Sequence, residues 1–137
     1  MVLSKTILIL EDDLRVLSSL LNKLSELEHA QPYDFSIIVL TNHQQVEDYV
    51  NSNPRAKFDI ILIDRDCKLN GSFHVLDIER FGVEKVIAIS SIQEYNEQLK
   101  QRGVTRVVYK DLQKVDEFAT KVTIEVARLL RDQKLQV

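Results

Sequence analysis

Short apolar runs alternate with helix-period segments along the whole chain, and that alternation leaves few folds open. Thr6–Leu10, Phe35–Leu40, Phe58–Ile63, Val86–Ile89 and Val107–Tyr109 read as five strands. Thr6–Leu10 is a continuous run bounded by acids, as in a strand covered on both faces, and Phe58–Ile63 is the most apolar segment of the chain. Between the strands the period lengthens. Leu17, Leu20, Leu21, Leu24 and Leu27 share one helical stripe, with Asp12 or Asp13 as the N-cap. A short second helix carries Val46, Tyr49 and Val50 and is stopped by Asn53-Pro54. Val75, Leu76 and Ile78 suggest a short third helix. Ile92, Tyr95 and Leu99 mark a fourth, closed by Gly103 as a left-handed C-cap. Val115, Phe118, Val122, Val126 and Leu129 stripe a long fifth. Five successive β-α units require a parallel sheet, because parallel crossovers need a covering helix. The expected fold is an α/β open doubly wound five-stranded parallel sheet, one domain over residues 1–137.

Composition narrows the function. Eighteen Lys+Arg stand against 21 Asp+Glu, a formal charge of -3, so no concentrated basic face for nucleic acid is expected. A single cysteine, Cys67, excludes an internal disulfide and a Cys-based zinc site. Three glycines leave little scope for a Gly-rich phosphate cradle. The run Ile7–Leu10 ends at once in Glu11-Asp12-Asp13, too short for a signal peptide or membrane span. A cytoplasmic protein, with no membrane partner, is expected.

In open α/β sheets ligands bind outside the carboxyl ends of the strands. Here those ends carry Glu11-Asp12-Asp13, Asp64, Ser90 and Lys110. In the strand order 2-1-3-4-5 the first and third strands are neighbours, so their carboxylates would face one another across a crevice. Clustered carboxylates stay ionised only beside a cation, and hard oxygen donors in a loose cage suit Mg²⁺. Lys110 and Ser90 suit a phosphoryl group, and an aspartate attacking phosphorus is established covalent chemistry. Each residue also has a plainer role. The acids could cap the first helix, Ser90 or Ser91 the fourth, and Asp66 could be a turn former. His29, His43 and His74 lack metal spacing and read as surface residues, and Cys67 as an inert thiol.

Over nearly its whole length the chain resembles the receiver domains of two-component response regulators, which have the flavodoxin-like (βα)5 fold. The resemblance is carried by ILILEDD (Ile7–Asp13), DIILID (Asp59–Asp64), VIAISS (Val86–Ser91) and GVTRVVYK (Gly103–Lys110). It implies that Asp64 accepts phosphate from a sensor histidine kinase or phosphotransfer protein. Glu11, Asp12, Asp64 and the backbone carbonyl of Asp66 would hold Mg²⁺. Ser90 would follow the phosphoryl group and Lys110 would salt-bridge to it. At most the chain would catalyse its own phosphorylation and dephosphorylation. Output would pass to a downstream protein or a homodimer through the face of the fourth helix, fifth strand and fifth helix (α4-β5-α5). The stretch after Lys110 suffices for one helix and a short tail, so no output domain is expected.

Three positions depart from the family. Lys68 stands where a proline is usual, Asp111 where a cis proline follows the lysine, and Val107 where the switch aromatic lies. These departures motivate an alternative, a phosphorylation-independent receiver-like interaction module. A third reading, from Asp64-Arg65-Asp66 as a DxD motif, is a Mg²⁺ enzyme of the haloacid-dehalogenase or toprim kind. It leaves Ser90 and Lys110 without a role.

Overall fold

The computed structural model describes residues 2–30 and 32–135. Five parallel strands form one sheet in the order β2-β1-β3-β4-β5. They are β1 (Leu3–Leu10), β2 (Tyr33–Leu40), β3 (Ile60–Ile63), β4 (Val86–Ala88) and β5 (Arg106–Val107). The helices are α1 (Leu14–Ala30), α2 (His43–Val46, continued by a π turn Glu47–Asn51), α3 (Ile78–Phe81), α4 (Gln93–Gln101) and α5 (Val115–Leu135). The expected fold class is the observed one.

The continuous apolar runs are explained by two cores. Side chains alternate across a strand, so Ile7, Ile9, Ile60, Leu62, Ile87 and Ile89 pack with α1 and α5. Leu8, Leu10, Ile61, Ile63, Val86 and Ala88 pack on the other face with Val46, Ile78 and Leu99. A polar side chain at any of these twelve positions would enter one core or the other.

Register aligns the carboxyl ends. Leu10 pairs with Leu40 on one side and Ile63 on the other, Ile63 with Ala88, and Ala88 with Val107. Single bonds carry the ladder one step further: Asp64 N–H to Leu10 O, Ile89 N–H to Ile63 O, and Lys110 N–H to Ser90 O. Residues 11, 64, 90 and 110 therefore end on one rim.

Several details differ from the sequence expectation. Val75 is exposed, and the third helix is only a 3₁₀ turn (Phe73–Val75) followed by α3. Tyr49 is exposed as well. On α4 the buried stripe is Asn96 and Leu99, whereas Ile92 faces outward. Asp13 is the N-cap of α1, its Oδ1 accepting from Arg15 and Val16 N–H at 2.9 and 3.3 Å. Gly103, at φ +106°, ends α4: its N–H reaches Lys100 O, and Val104 N–H reaches Leu99 O. That pair of bonds is the Schellman pattern, which a residue with a Cβ adopts only under strain. No described helix is long and apolar enough to cross a membrane.

Candidate functional site

The rim holds a buried ionic cluster. Lys110 Nζ donates to Asp64 Oδ2 at 2.6 Å and to Glu11 Oε1 at 2.7 Å. Glu11 is fully buried, and Asp64 and Lys110 nearly so. The remaining carboxylate oxygens are held by main chain. Glu11 Oε2 accepts from Asp12 and Asp13 N–H, and Asp64 Oδ1 accepts from Arg65 N–H at 2.7 Å. Such bonds fix the carboxylate orientations before any ligand arrives.

Charge does not balance within this cluster, because two carboxylates share one ammonium. Burial raises the Glu11 carboxyl to about 7, with Lys110 pulling it back down and Asp64 adding to the rise. Burial pushes the Lys110 ammonium down, but Glu11 and Asp64 together outweigh it and hold its pKa above the ordinary lysine value.

Asp12, half-exposed, completes an acidic triad. Carboxylate oxygens of Glu11, Asp12 and Asp64 lie within 4.8 Å of one another, which among the described residues is the one such group. Hard oxygen donors at that spacing fit a divalent cation, and Asp12 is the member open to solvent. Asp66 stands apart from this group. Its side chain is exposed and pairs with Arg65 Nη1 at 2.7 Å.

Ser90 lies on the same rim and is buried. It does not cap α4, whose N-cap is Ile92 without a side-chain bond. Its Oγ accepts from Ile92 N–H at 3.1 Å, which leaves the hydroxyl proton free to donate.

The loop after Asp64 has its own anchors. Lys68 bonds its N–H to Thr41 O and bridges to Asn42. Leu69 and Asn70 then turn with φ of 69° and 54°, conformations unusual for a leucine. The Arg65 guanidinium sits 4.4 Å from the Tyr95 ring centre, linking this loop to α4. Arg102 adds further links to Glu79 and to the His74 and Leu76 carbonyls. The Lys110–Asp111 peptide is trans, as is every described peptide. Tyr109, beyond Val107, is exposed.

The histidines depart from a surface reading at two places. His43 Nδ1 lies 3.7 Å from Cys67 Sγ, and its ring fills the space a Cβ on Gly71 would need. His74 is half-buried with Nε2 unpartnered, and burial, then Arg102 and Arg65, lowers it to about 4. Cys67 is buried and its thiol is raised by that burial, in keeping with an inert thiol. Sequence reasoning missed Asn96 and Arg65. The signal for Asn96 was its place three residues before the buried Leu99, on the same face of α4.

No protein-family model matches the chain, and no curated protein matches it in sequence. Solved structures do match. The Mn²⁺-bound form of response regulator Rcp1 superposes with a TM-score of 0.65 at 14% identity, covering 86% of this chain and 91% of its own. The phosphorylated cyanobacterial phytochrome response regulator RcpA gives 0.67 at 12% identity, with 87% and 91% covered. A response regulator receiver domain from Rhodospirillum rubrum gives 0.65 at 14% identity, with 89% and 93% covered. The likeness is one of fold. The chain has the flavodoxin-like fold of response regulator receiver domains, and its strand ends carry an acidic cluster suited to a divalent cation.

Proposed function

We propose that the chain is a phospho-accepting receiver domain, one domain over residues 1–137, that takes a phosphoryl group onto Asp64. The observation that carries this reading is the Lys110 ammonium held between Asp64 and Glu11, with Asp12 open beside them. A carboxylate that is to attack phosphorus needs a fixed cation close by and room for a second one.

Glu11, Asp12, Asp64 and the main-chain carbonyl of Asp66 would hold Mg²⁺, which when bound neutralises charge on the phosphoryl oxygens. The chain's own residues do the rest. An Asp64 oxygen attacks phosphorus, the P–N bond to the donor histidine breaks, and the imidazole leaves with that electron pair. Lys110 pairs with the phosphoryl oxygens in place of its bond to Asp64, and the Ser90 hydroxyl donates to another of those oxygens. Water later cleaves the acyl phosphate and regenerates the carboxylate. The donor would be a histidine kinase or phosphotransfer protein in the cytoplasm. Output would pass through protein contacts on the α4-β5-α5 face, where Tyr109 is exposed.

Acetyl phosphate with Mg²⁺ should add one phosphoryl group to the intact mass, and Asp64→Asn should abolish the addition. A modification mapped to another residue of the wild type overturns the assignment. Val107 favours the second reading, a phosphorylation-independent interaction module, since an aliphatic side chain cannot act as a rotating aromatic switch. An absence of beryllofluoride binding at low millimolar concentration with Mg²⁺ would select it.

A further inference from the structure

Asn96 is fully buried on the inward face of α4, four residues into the helix. Its amide spans the main chain of one residue only. Oδ1 accepts from Ser90 N–H at 3.0 Å, and Nδ2 donates to Ser90 O at 3.1 Å. The same carbonyl accepts from Lys110 N–H at 3.2 Å. A buried amide is costly unless bonded, and a leucine in this stripe would pack without that risk. What the asparagine adds is a two-point grip on Ser90.

We propose that Asn96 is a positioning residue for the phosphoryl site. It holds the Ser90 main chain so that the hydroxyl proton is delivered to a phosphoryl oxygen on Asp64, and it makes Ser90 and the first turn of α4 move as one body. The inference rests on the phospho-accepting reading above and adds its route to α4. The Ser90 hydroxyl accepts from Ile92 N–H through one lone pair, and its proton stays available to donate. Any displacement of Ser90 toward a ligand must carry α4 along or break two buried hydrogen bonds. Tyr95, next to Asn96, holds the Arg65 guanidinium on its face, so a shift of α4 also alters the loop that follows Asp64. This link runs through β4 and α4 and does not need an aromatic at Val107.

The test is a double-mutant cycle on beryllofluoride binding in the full chain, with Mg²⁺ affinity measured separately. Asn96→Ala should weaken beryllofluoride about tenfold, the worth of one well-placed hydrogen bond, and leave Mg²⁺ affinity within about twofold. In a Ser90→Ala background, Asn96→Ala should weaken it no further. Equal loss of Mg²⁺ affinity, or full additivity of the two substitutions, overturns the inference while the phospho-accepting reading stands. A wild type that takes no beryllofluoride overturns both. A second measurement does not depend on whether Asn96→Ala folds. In ¹⁵N spectra of the wild type, beryllofluoride should shift the Asn96 side-chain amide and the α4 amides, and in Ser90→Ala those shifts should disappear. Shifts of equal size in both proteins overturn it too.

Discussion

Replacing Lys110 with methionine keeps most of its stem and removes its charge, so Glu11 and Asp64 lose the cation 2.7 and 2.6 Å away. Breaking a buried pair by removing one partner typically costs about 3–5 kcal/mol. Two features place this variant at the low end of that range. Asp12 opens the site to water on one side, and the Glu11 carboxyl, already near 7, can take a proton instead of remaining a stranded charge. The sign with pH follows. A carboxyl raised from 4.5 to about 7 adds stability below its unfolded value that is lost as pH rises through 7. With its carboxyl raised, Glu11 takes up a proton more readily at pH 6 than at pH 8, so Lys110 has less to neutralise. At pH 8 both carboxylates need it. Urea unfolding in a chelator should therefore show a loss of about 3 kcal/mol at pH 8, shrinking to about 1–2 kcal/mol at pH 6. A loss below about 1 kcal/mol at pH 8, or one that grows on acidification, would refute the reasoning.

Other expectations follow from contacts away from the rim. Burial holds the His74 imidazole near 4, so the unfolded chain takes a proton first as pH falls. The contribution is intact above 6.5 and disappears between 6.5 and 4, about 1–2 kcal/mol after allowing for partial exposure. His74→Phe should flatten that part of the stability–pH curve, and an unchanged slope would count against it. Arg102 makes a forked pair with Glu79 and bonds the His74 and Leu76 carbonyls. Arg102→Ala should cost about 2 kcal/mol and speed amide exchange over residues 73–79; unchanged exchange there would contradict the tether. Cys67, buried with a raised thiol, should react with iodoacetamide about tenfold slower than free cysteine at neutral pH, and normally in urea. Equal rates would mean the loop opens readily.

Legibility in the sequence tracked how local each cause was. Strand identity was readable because Ile7–Leu10, Ile60–Ile63 and Val86–Ala88 are apolar on both faces, and a doubly covered parallel sheet buries such runs; that pattern does not itself fix the order 2-1-3-4-5. The starts of β1 and β2 lie earlier than the pattern indicates: Leu3–Lys5 and Tyr33–Asp34 are mixed in polarity and belong to the ladder through their pairing across the two strands. The third helix failed for the opposite reason. Val75, Leu76 and Ile78 have near-helical spacing, yet the chain there is shaped by long-range bonds, Phe73 N–H to Arg65 O and Arg102 to two carbonyls. On the rim, the positions of Glu11, Asp64, Ser90 and Lys110 followed from strand register. Asn96 did not, because its partner is the backbone of a residue six positions earlier, and backbone groups leave no trace in the residue alphabet.

The shortage of positive charge on that rim carries one more consequence. With Glu11, Asp64 and Lys110 buried together, two carboxylates share one ammonium; burial raises the Glu11 carboxyl, Lys110 lowers it and Asp64 adds to the rise. A phosphoryl group, or beryllofluoride in its place, brings further negative charge to the same oxygens. Lys110 cannot serve the ligand and both carboxylates at once, so a second cation beside Asp12 becomes worth more when the ligand is present. Binding linkage makes the effect mutual: whatever factor beryllofluoride adds to Mg²⁺ affinity, Mg²⁺ must add to beryllofluoride affinity. A coupling of about 1–3 kcal/mol, five- to 150-fold, is the expected range. Titrating Mg²⁺ with and without saturating beryllofluoride, and then the reverse, measures the factor twice. Asp12→Asn should reduce both values together, whereas independent binding of the two would show that the carboxylates on this rim are not a cation site coupled to the phosphoryl position.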